Sequence, residues 1–264
     1  MLSQNKYFDE IKTYKLVANK SLGQNFLIDP NLAASIVNKL ELSNNDVTLE
    51  IGAGLGSLSY FLTQKPGQKV LIDIDEKMLA FLWENYKNIQ DLQVKRENIL
   101  KADLEKYTKI IGNLPYYITS GIIEYVLLNA INTKQIIFMC QKEVYPKLAD
   151  PSSGPLAKFL YYVGSIKKVA DAPRNSFVPV PHVDSLVFEI VPNKNIKNEE
   201  NKKLYKMMCQ LFLHRRKTIL NNLNSIGLDK KKAKELLDKC GIAENKRPEQ
   251  LEISDFKNIL MLLK

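Results

Sequence analysis

Cysteine and histidine are scarce in this 264-residue sequence, which holds Cys140, Cys209 and Cys240 and only His182 and His214. Cysteines so far apart and odd in number exclude a disulfide framework, and two histidines leave no metal-ligand spacing to build on. Long hydrophobic runs are missing too. Nothing is apolar for long enough to span a bilayer, and the opening MLSQNKYFDEIKTYK alternates charges with aromatics where a signal peptide needs an apolar core. The expectation is a cytoplasmic globular protein with neither membrane nor metal. Internal repeats and low-complexity tracts are also lacking. Negative charge is in deficit: 29 Asp plus Glu stand against 38 Lys plus Arg, a formal net charge of +9. That excess suits a polyanionic partner or, equally well, a merely solvated surface. The hydrophobic content of 45% is enough for one large domain or a domain with a smaller companion.

From Val47 to Pro192 short apolar runs alternate with helix-period segments, the pattern of a parallel α/β sheet. VTLEI (47–51), KVLIDID (69–75), KIIGN (109–113), QIIFMC (135–140) and SLVFEIV (185–191) read as strands. Asp29-Pro30 reads as a cap and first-turn proline opening a helix with Leu32, Ile36, Val37 and Leu40 on one face. PNKNIKNEENKK (192–203) is nearly devoid of apolar residues and reads as a linker. Beyond it every segment has helical period, including one helix over LYKMMCQLFLHRRKTILNNL, one capped by Asp229 and stopped at Gly241, and one from about Ser254. The division predicted is 1–192 for an α/β domain and 193–264 for a small all-helical domain.

The first of these strands runs into Gly52-Ala53-Gly54-Leu55-Gly56, a tight turn at the carboxyl edge of the sheet, where open α/β folds bind ligands. Its G-x-G-x-G spacing is not the dinucleotide G-x-G-x-x-G, and no Lys-Ser/Thr pair follows for a triphosphate. Asp73 ends the next strand, placed to accept from ribose hydroxyls. A glycine turn with a ribose carboxylate and no phosphate cradle suggests a nucleoside such as S-adenosylmethionine; a turn rich in glycine for packing alone is the plainer alternative.

Asn113-Leu114-Pro115-Tyr116 closes a later strand of the same sheet. An exocyclic aromatic amine is a poor nucleophile because its lone pair is delocalised. If the Asn113 amide oxygen and the Leu114 carbonyl both accept its hydrogens, the nitrogen turns tetrahedral and the lone pair is freed. Pro115 fixes the backbone, and Tyr116 offers a ring on which the base stacks. Methyl transfer then proceeds in line, driven by positioning. A simple strand-end turn is the competing reading.

Over nearly its whole length the chain resembles the KsgA/RsmA family of small-subunit ribosomal RNA adenine N6,N6-dimethyltransferases. The matching stretches are LGQNFL (22–27), EIGAGLGSL (50–58), GNLPYYITS (112–120), QKEV (141–144), FVPVPHVDS (177–185), HRRKTILNNL (214–223) and RPEQLEISDF (247–256). The resemblance implies a Rossmann-like class I S-adenosylmethionine-dependent methyltransferase fold with a helical C-terminal domain, acting as a monomer on 16S rRNA in the small subunit. It implies that Asn25 and Leu27 close over the cofactor, that Gly52 and Gly54 lie against it, and that Asp73, Asn98 and Asn113 bind it. It also implies that Phe177 stacks on the target adenine opposite Tyr116. The chain departs from the family in having Asp73 for the usual Glu, Asn98 for the usual Asp, and Tyr117 and Gly121 for the commoner Asn and Pro. The first two bear on cofactor affinity.

Arg215, Arg216 and Lys217 follow His214 beside an apolar stripe of Leu211, Leu220 and Leu223, expected on the first C-terminal helix. Such a cluster is either a solvated face or a set of phosphate contacts that position RNA without reading sequence. Three rivals stand beside the small-subunit reading: the erythromycin-resistance type that modifies large-subunit RNA, a non-catalytic assembly factor, and a DNA amino-methyltransferase.

Overall fold

The computed structural model describes residues 3–13, 23–193 and 199–263. Leu22 of LGQNFL, residues 1, 2, 14 and 15 of the opening stretch, and residues 194–198 of the expected linker lie outside them. The strands are β1 (Phe26–Leu27), β2 (Val47–Ile51), β3 (Gln68–Asp73), β4 (Leu92–Arg96), β5 (Lys109–Asn113), β6 (Gln135–Gln141), β7 (Gly164–Ala172), β8 (Phe177–Val178) and β9 (Ser185–Pro192). The helices are α1 (Gln4–Thr13), α2 (Pro30–Asn38), α3 (Ser59–Leu62), α4 (Glu76–Tyr86), α5 (Thr119–Asn129), α6 (Val144–Ala149), α7 (Pro155–Val163), α8 (Glu199–Leu211), α9 (Ile219–Ser225), α10 (Lys230–Cys240) and α11 (Ile253–Leu262).

Seven strands form one sheet in the order β4-β3-β2-β5-β6-β9-β7, with β4, β3, β2, β5 and β6 parallel and β9 antiparallel to β6. Consecutive residues such as Ile110 and Ile111, or Ile136 through Cys140, are all buried, which requires cover on both faces of the sheet. The chain builds outward from β2 through β3 to β4 on one side and through β5 to β6 on the other. The carboxyl ends of β2 and β5 therefore meet where the strand order reverses, and a crevice opens there. A separate antiparallel pair joins β1 to β8, with Leu27 opposite Phe177.

Local chemistry sets the element ends. The Asp29 carboxylate accepts from the N–H groups of Asn31 and Leu32 and caps α2, and Asp229 caps α10 through Lys231 and Lys232. Gly112 permits the closest approach of β5 to β2, because a Cβ there would stand 2.6 Å from the Ile51 oxygen. Among the described residues no helix is long and apolar enough to cross a membrane.

The chain divides into two compact units, residues 1–145 with 167–192 and residues 146–166 with 193–264. The boundary expected at 192 thus misses an excursion, since Pro146–Ile166 groups with the C-terminal helices. Its reason is apolar: α7 sets Phe159 against Tyr205 at 4.9 Å between ring centroids, and Lys158 Nζ donates to the Leu251 carbonyl at 2.7 Å. The expected linker is also shorter than its polarity suggests. Residues 199–203 are helical, with Glu199 and Glu200 in the first turn of α8, where negative charge stabilises the N-terminus. Finally, the basic cluster is not on a helix. α8 ends at Leu211, Thr218 caps α9, and the Asn222 amide donates to the carbonyls of His214 and Lys217 at 3.2 Å each, folding residues 212–217 into a turn.

Candidate active site

The crevice holds a cavity of about 290 Å³ lined from four parts of the first unit: residues 23–27, the glycine turn after β2, the ends of β3 and β4, and the turn after β5. Gly52, Gly54 and Gly56 all have positive φ (65°, 54° and 75°), so the G-x-G-x-G turn is a run of left-handed conformations that side-chain residues resist. Tyr7 of α1 pins this turn from behind, its buried hydroxyl donating to the Leu55 carbonyl at 2.7 Å and receiving the Tyr86 hydroxyl at 2.7 Å.

Asp73 is 8% exposed at the end of β3. Its Oδ2 accepts from the Gly54 N–H at 2.8 Å and its Oδ1 from the Asp75 N–H at 2.9 Å, so both oxygens are aimed by the backbone. Burial pushes its carboxyl above the ordinary carboxylate value against the pull of those N–H groups. Glu50 lines the same cavity from β2, 2% exposed, with the Ser59 hydroxyl donating to it at 2.7 Å. Desolvation pushes it up to about 8, with Asp73 adding to the rise. The sequence reading gave Glu50 no role; an acidic side chain in an otherwise apolar strand was the available signal. Asn98 is exposed, and its Oδ1 accepts from the Leu100 N–H at 3.0 Å, capping the turn after β4.

The cavity's charge decides which nucleoside fits. Its acidic groups are Asp73, Glu97 and Glu50, the last of which keeps its proton up to about 8, and among the described residues no lysine or arginine lines it. A phosphate-bearing dinucleotide would meet three carboxyl groups and no counter-charge, whereas a cationic sulfonium nucleoside meets a complementary wall. Asp73 would hold the ribose, Asn98 the adenine, and Gly52 and Gly54 would leave the approach free of side chains.

Asn113 ends β5 on the opposite wall. Its Nδ2 donates to the Asn25 carbonyl at 2.9 Å. A carbonyl can only accept, so this contact fixes the amide's orientation and leaves Oδ1 for an incoming amine. The Leu114 N–H donates to the Met139 carbonyl at 2.9 Å, and Pro115, with φ −63°, carries the chain into a short turn over Tyr116–Ile118. The Tyr116 hydroxyl shares a hydrogen bond with the buried Ser185 Oγ at 2.8 Å, which fixes its ring in the wall. Burial raises the Tyr116 phenol above its ordinary value, the Ser185 bond opposing it.

The fold brings Asn25, Leu27, Gly52, Gly54, Asp73, Asn98, Asn113, Leu114, Pro115 and Tyr116 to one cavity. Phe177 does not join them. It is 0% exposed in the main core cluster, because pairing of β8 with β1 turns its ring inward opposite Leu27. Arg215, Arg216 and Lys217 are exposed in the second unit, where Arg215 Nη2 already donates to the Ser152 carbonyl at 3.0 Å. Gln24 was also missed by the sequence reading; its amide donates to Asp75 at 2.8 Å and ties the 23–27 segment to the turn after β3.

Comparison with known proteins gives the family of the chain. The family described as ribosomal RNA adenine dimethylase matches residues 16–264. A protein of Levilactobacillus brevis named ribosomal RNA small subunit methyltransferase A is 33% identical over 266 residues, covering 93% of this chain and 90% of its own. The protein of the same name from Alkaliphilus metalliredigens is 32% identical, covering 98% of this chain and 96% of its own. Among solved structures, a dimethyladenosine transferase from Plasmodium falciparum superposes with a TM-score of 0.75 at 24% identity, covering 90% of this chain and 97% of that one. The 23S rRNA methyltransferase ErmE gives 0.63 at 21%, covering 89% and 98%. At such identities these two likenesses show the fold.

Proposed function

Because the chain belongs to the ribosomal RNA adenine dimethylase family, and is therefore an S-adenosylmethionine-dependent methyltransferase, we propose that it dimethylates N6 of two adjacent adenosines near the 3' end of 16S rRNA. The observation that carries this reading is the Asn113 amide, fixed by Asn25 and facing the cavity whose other wall is acidic. Bound S-adenosylmethionine supplies an electrophilic methyl group on a sulfonium. Asn113 Oδ1 and the Leu114 carbonyl accept the two hydrogens of the target amine and draw its lone pair out of the ring. The cofactor would supply its methyl group to that lone pair and leave as the neutral thioether, and the methylated amine would lose its proton to solvent. Tyr116 holds the flipped base by one face, and Asn25 and Leu27 cover the cofactor.

Arg216 and Lys217 supply phosphate contacts on the second unit, and Arg215 shares that role with its bond to Ser152. The protein acts as a monomer, and ribosomal subunits as substrate support a cytoplasmic location. The small-subunit relatives favour 16S over 23S RNA. The test is transfer of labelled methyl groups to unmethylated small subunits, large subunits and naked RNA side by side. Label in the small subunit is expected; label confined to the large subunit would overturn the substrate.

A further inference from the structure

Tyr116 and Tyr117 are consecutive in a tight turn, where successive side chains point about a third of a turn apart. Tyr116 goes into the wall and is anchored there by Ser185. Tyr117 goes to the rim: it lines the same cavity yet is 56% exposed. One part of its ring rests on Gly23, since a Cβ at Gly23 would stand 3.3 Å from Tyr117 Cδ1 and 3.7 Å from Cε1. Among the described residues its hydroxyl has no hydrogen-bond partner. The molecule thus presents a large aromatic surface to solvent at the edge of this cavity, seated on Gly23 along one part of the ring and open over the rest.

A base flipped into a pocket leaves its neighbour unstacked at the mouth, and an exposed aromatic ring replaces the missing stacking partner. We propose that Tyr117 forms a second base subsite, on which the purine next to the target adenosine stacks while methyl transfer takes place. This assignment rests on the RNA-adenine reading of the cavity and adds to it a recognition element for the neighbouring nucleotide. The side chain required is a flat ring, since the hydroxyl makes no bond that aims it.

The experiment measures the Michaelis constant for unmethylated small subunits and, by calorimetry, the affinity for S-adenosylmethionine. Tyr117→Ala should raise the Michaelis constant for subunits by about 5- to 150-fold, the effect of removing one base stack. Cofactor affinity should be unchanged, and Tyr117→Phe or Tyr117→Trp should restore subunit binding. A Tyr117→Ala protein with the wild-type Michaelis constant would overturn the subsite and leave the methyltransferase reading standing. Weaker cofactor affinity in Tyr117→Ala without a change toward subunits would also overturn it, making the ring a cover over Gly23. Wild-type protein that fails to label RNA adenosines at all would sink both.

Discussion

The side-chain nitrogen of Asn113 donates to the main-chain oxygen of Asn25 across 2.9 Å, joining the turn after β5 to the 23–27 segment that lines the same cavity. One hydrogen bond therefore orients the amide proposed to meet the substrate amine and ties it to the segment proposed to cover the cofactor. Asn113→Asp is accordingly no conservative change. It would set a carboxylate oxygen against a carbonyl, with no hydrogen between them, and displace both segments. Turnover and cofactor affinity should fall together, as steady-state kinetics and calorimetry on Asn113→Asp would show; wild-type cofactor affinity would contradict the linkage.

Glu50 carries a pH dependence with a definite sign. Its folded-state value of about 8 lies above the ordinary 4.5, so between these values the folded protein holds a proton that the unfolded chain has released. Stability should therefore decline as pH rises through that window and level off above about 8. Ionised Glu50 adds negative charge to the cavity, so affinity for the cationic cofactor should rise over the upper part of the same window. Glu50→Gln should flatten both profiles, read by thermal melts and calorimetry from pH 5 to 9. A dependence on Glu50 running the other way would refute this account.

Asn98 caps the turn after β4 through the Leu100 N–H, a position that Asp fills as well as Asn. Asn98→Asp should keep the cap and add charge opposite a cationic ligand, tightening S-adenosylmethionine binding. Unchanged or weaker affinity by calorimetry would remove Asn98 from the cofactor site.

The basic turn separates into two kinds of cation. Arg215 is bonded to the Ser152 carbonyl, while Arg216 and Lys217 have no acidic partner among the described residues. Replacing Arg216 and Lys217 together by Ala should lower the log-log salt slope of RNA binding by about one unit for each phosphate that is no longer neutralised. Arg215→Ala should change the slope less and lower the melting temperature more. Equal slopes for wild type and the double variant would return the turn to a solvated surface.

Much of the first unit was legible because its interior strands are uninterrupted apolar runs. KIIGN coincides with β5 from Lys109 to Asn113, and the Asn113–Tyr116 turn could be placed at a sheet end from the order of strands alone. The two outer strands were not legible. β4 (LQVKR) and β7 (GSIKKVADA) carry the lysines and polar residues that sheet edges tolerate, which masks the strand period. The break between α8 and α9 was hidden because helical period runs on through HRRK, while Thr218 and Asn222 make the turn by side-chain bonds to the backbone. The burial of Phe177 was hidden for a related reason. A two-residue pairing with Leu27 decides which way its ring faces, and nothing in FVPVP signals a partner 150 residues upstream. Roles for Glu50 and Gln24 required three-dimensional contacts, since each gains its importance from a residue distant in sequence or across the sheet.

The central claim is that the Asn113 amide activates the target amine during methyl transfer. It is tested most directly by single-turnover transfer to unmethylated small subunits at saturating S-adenosylmethionine, wild type against Asn113→Ala. An interaction made chiefly in the transition state should cost about 10²- to 10³-fold in rate when removed, with subunit binding little changed. An Asn113→Ala protein that folds, binds cofactor and methylates at close to the wild-type rate would contradict the account.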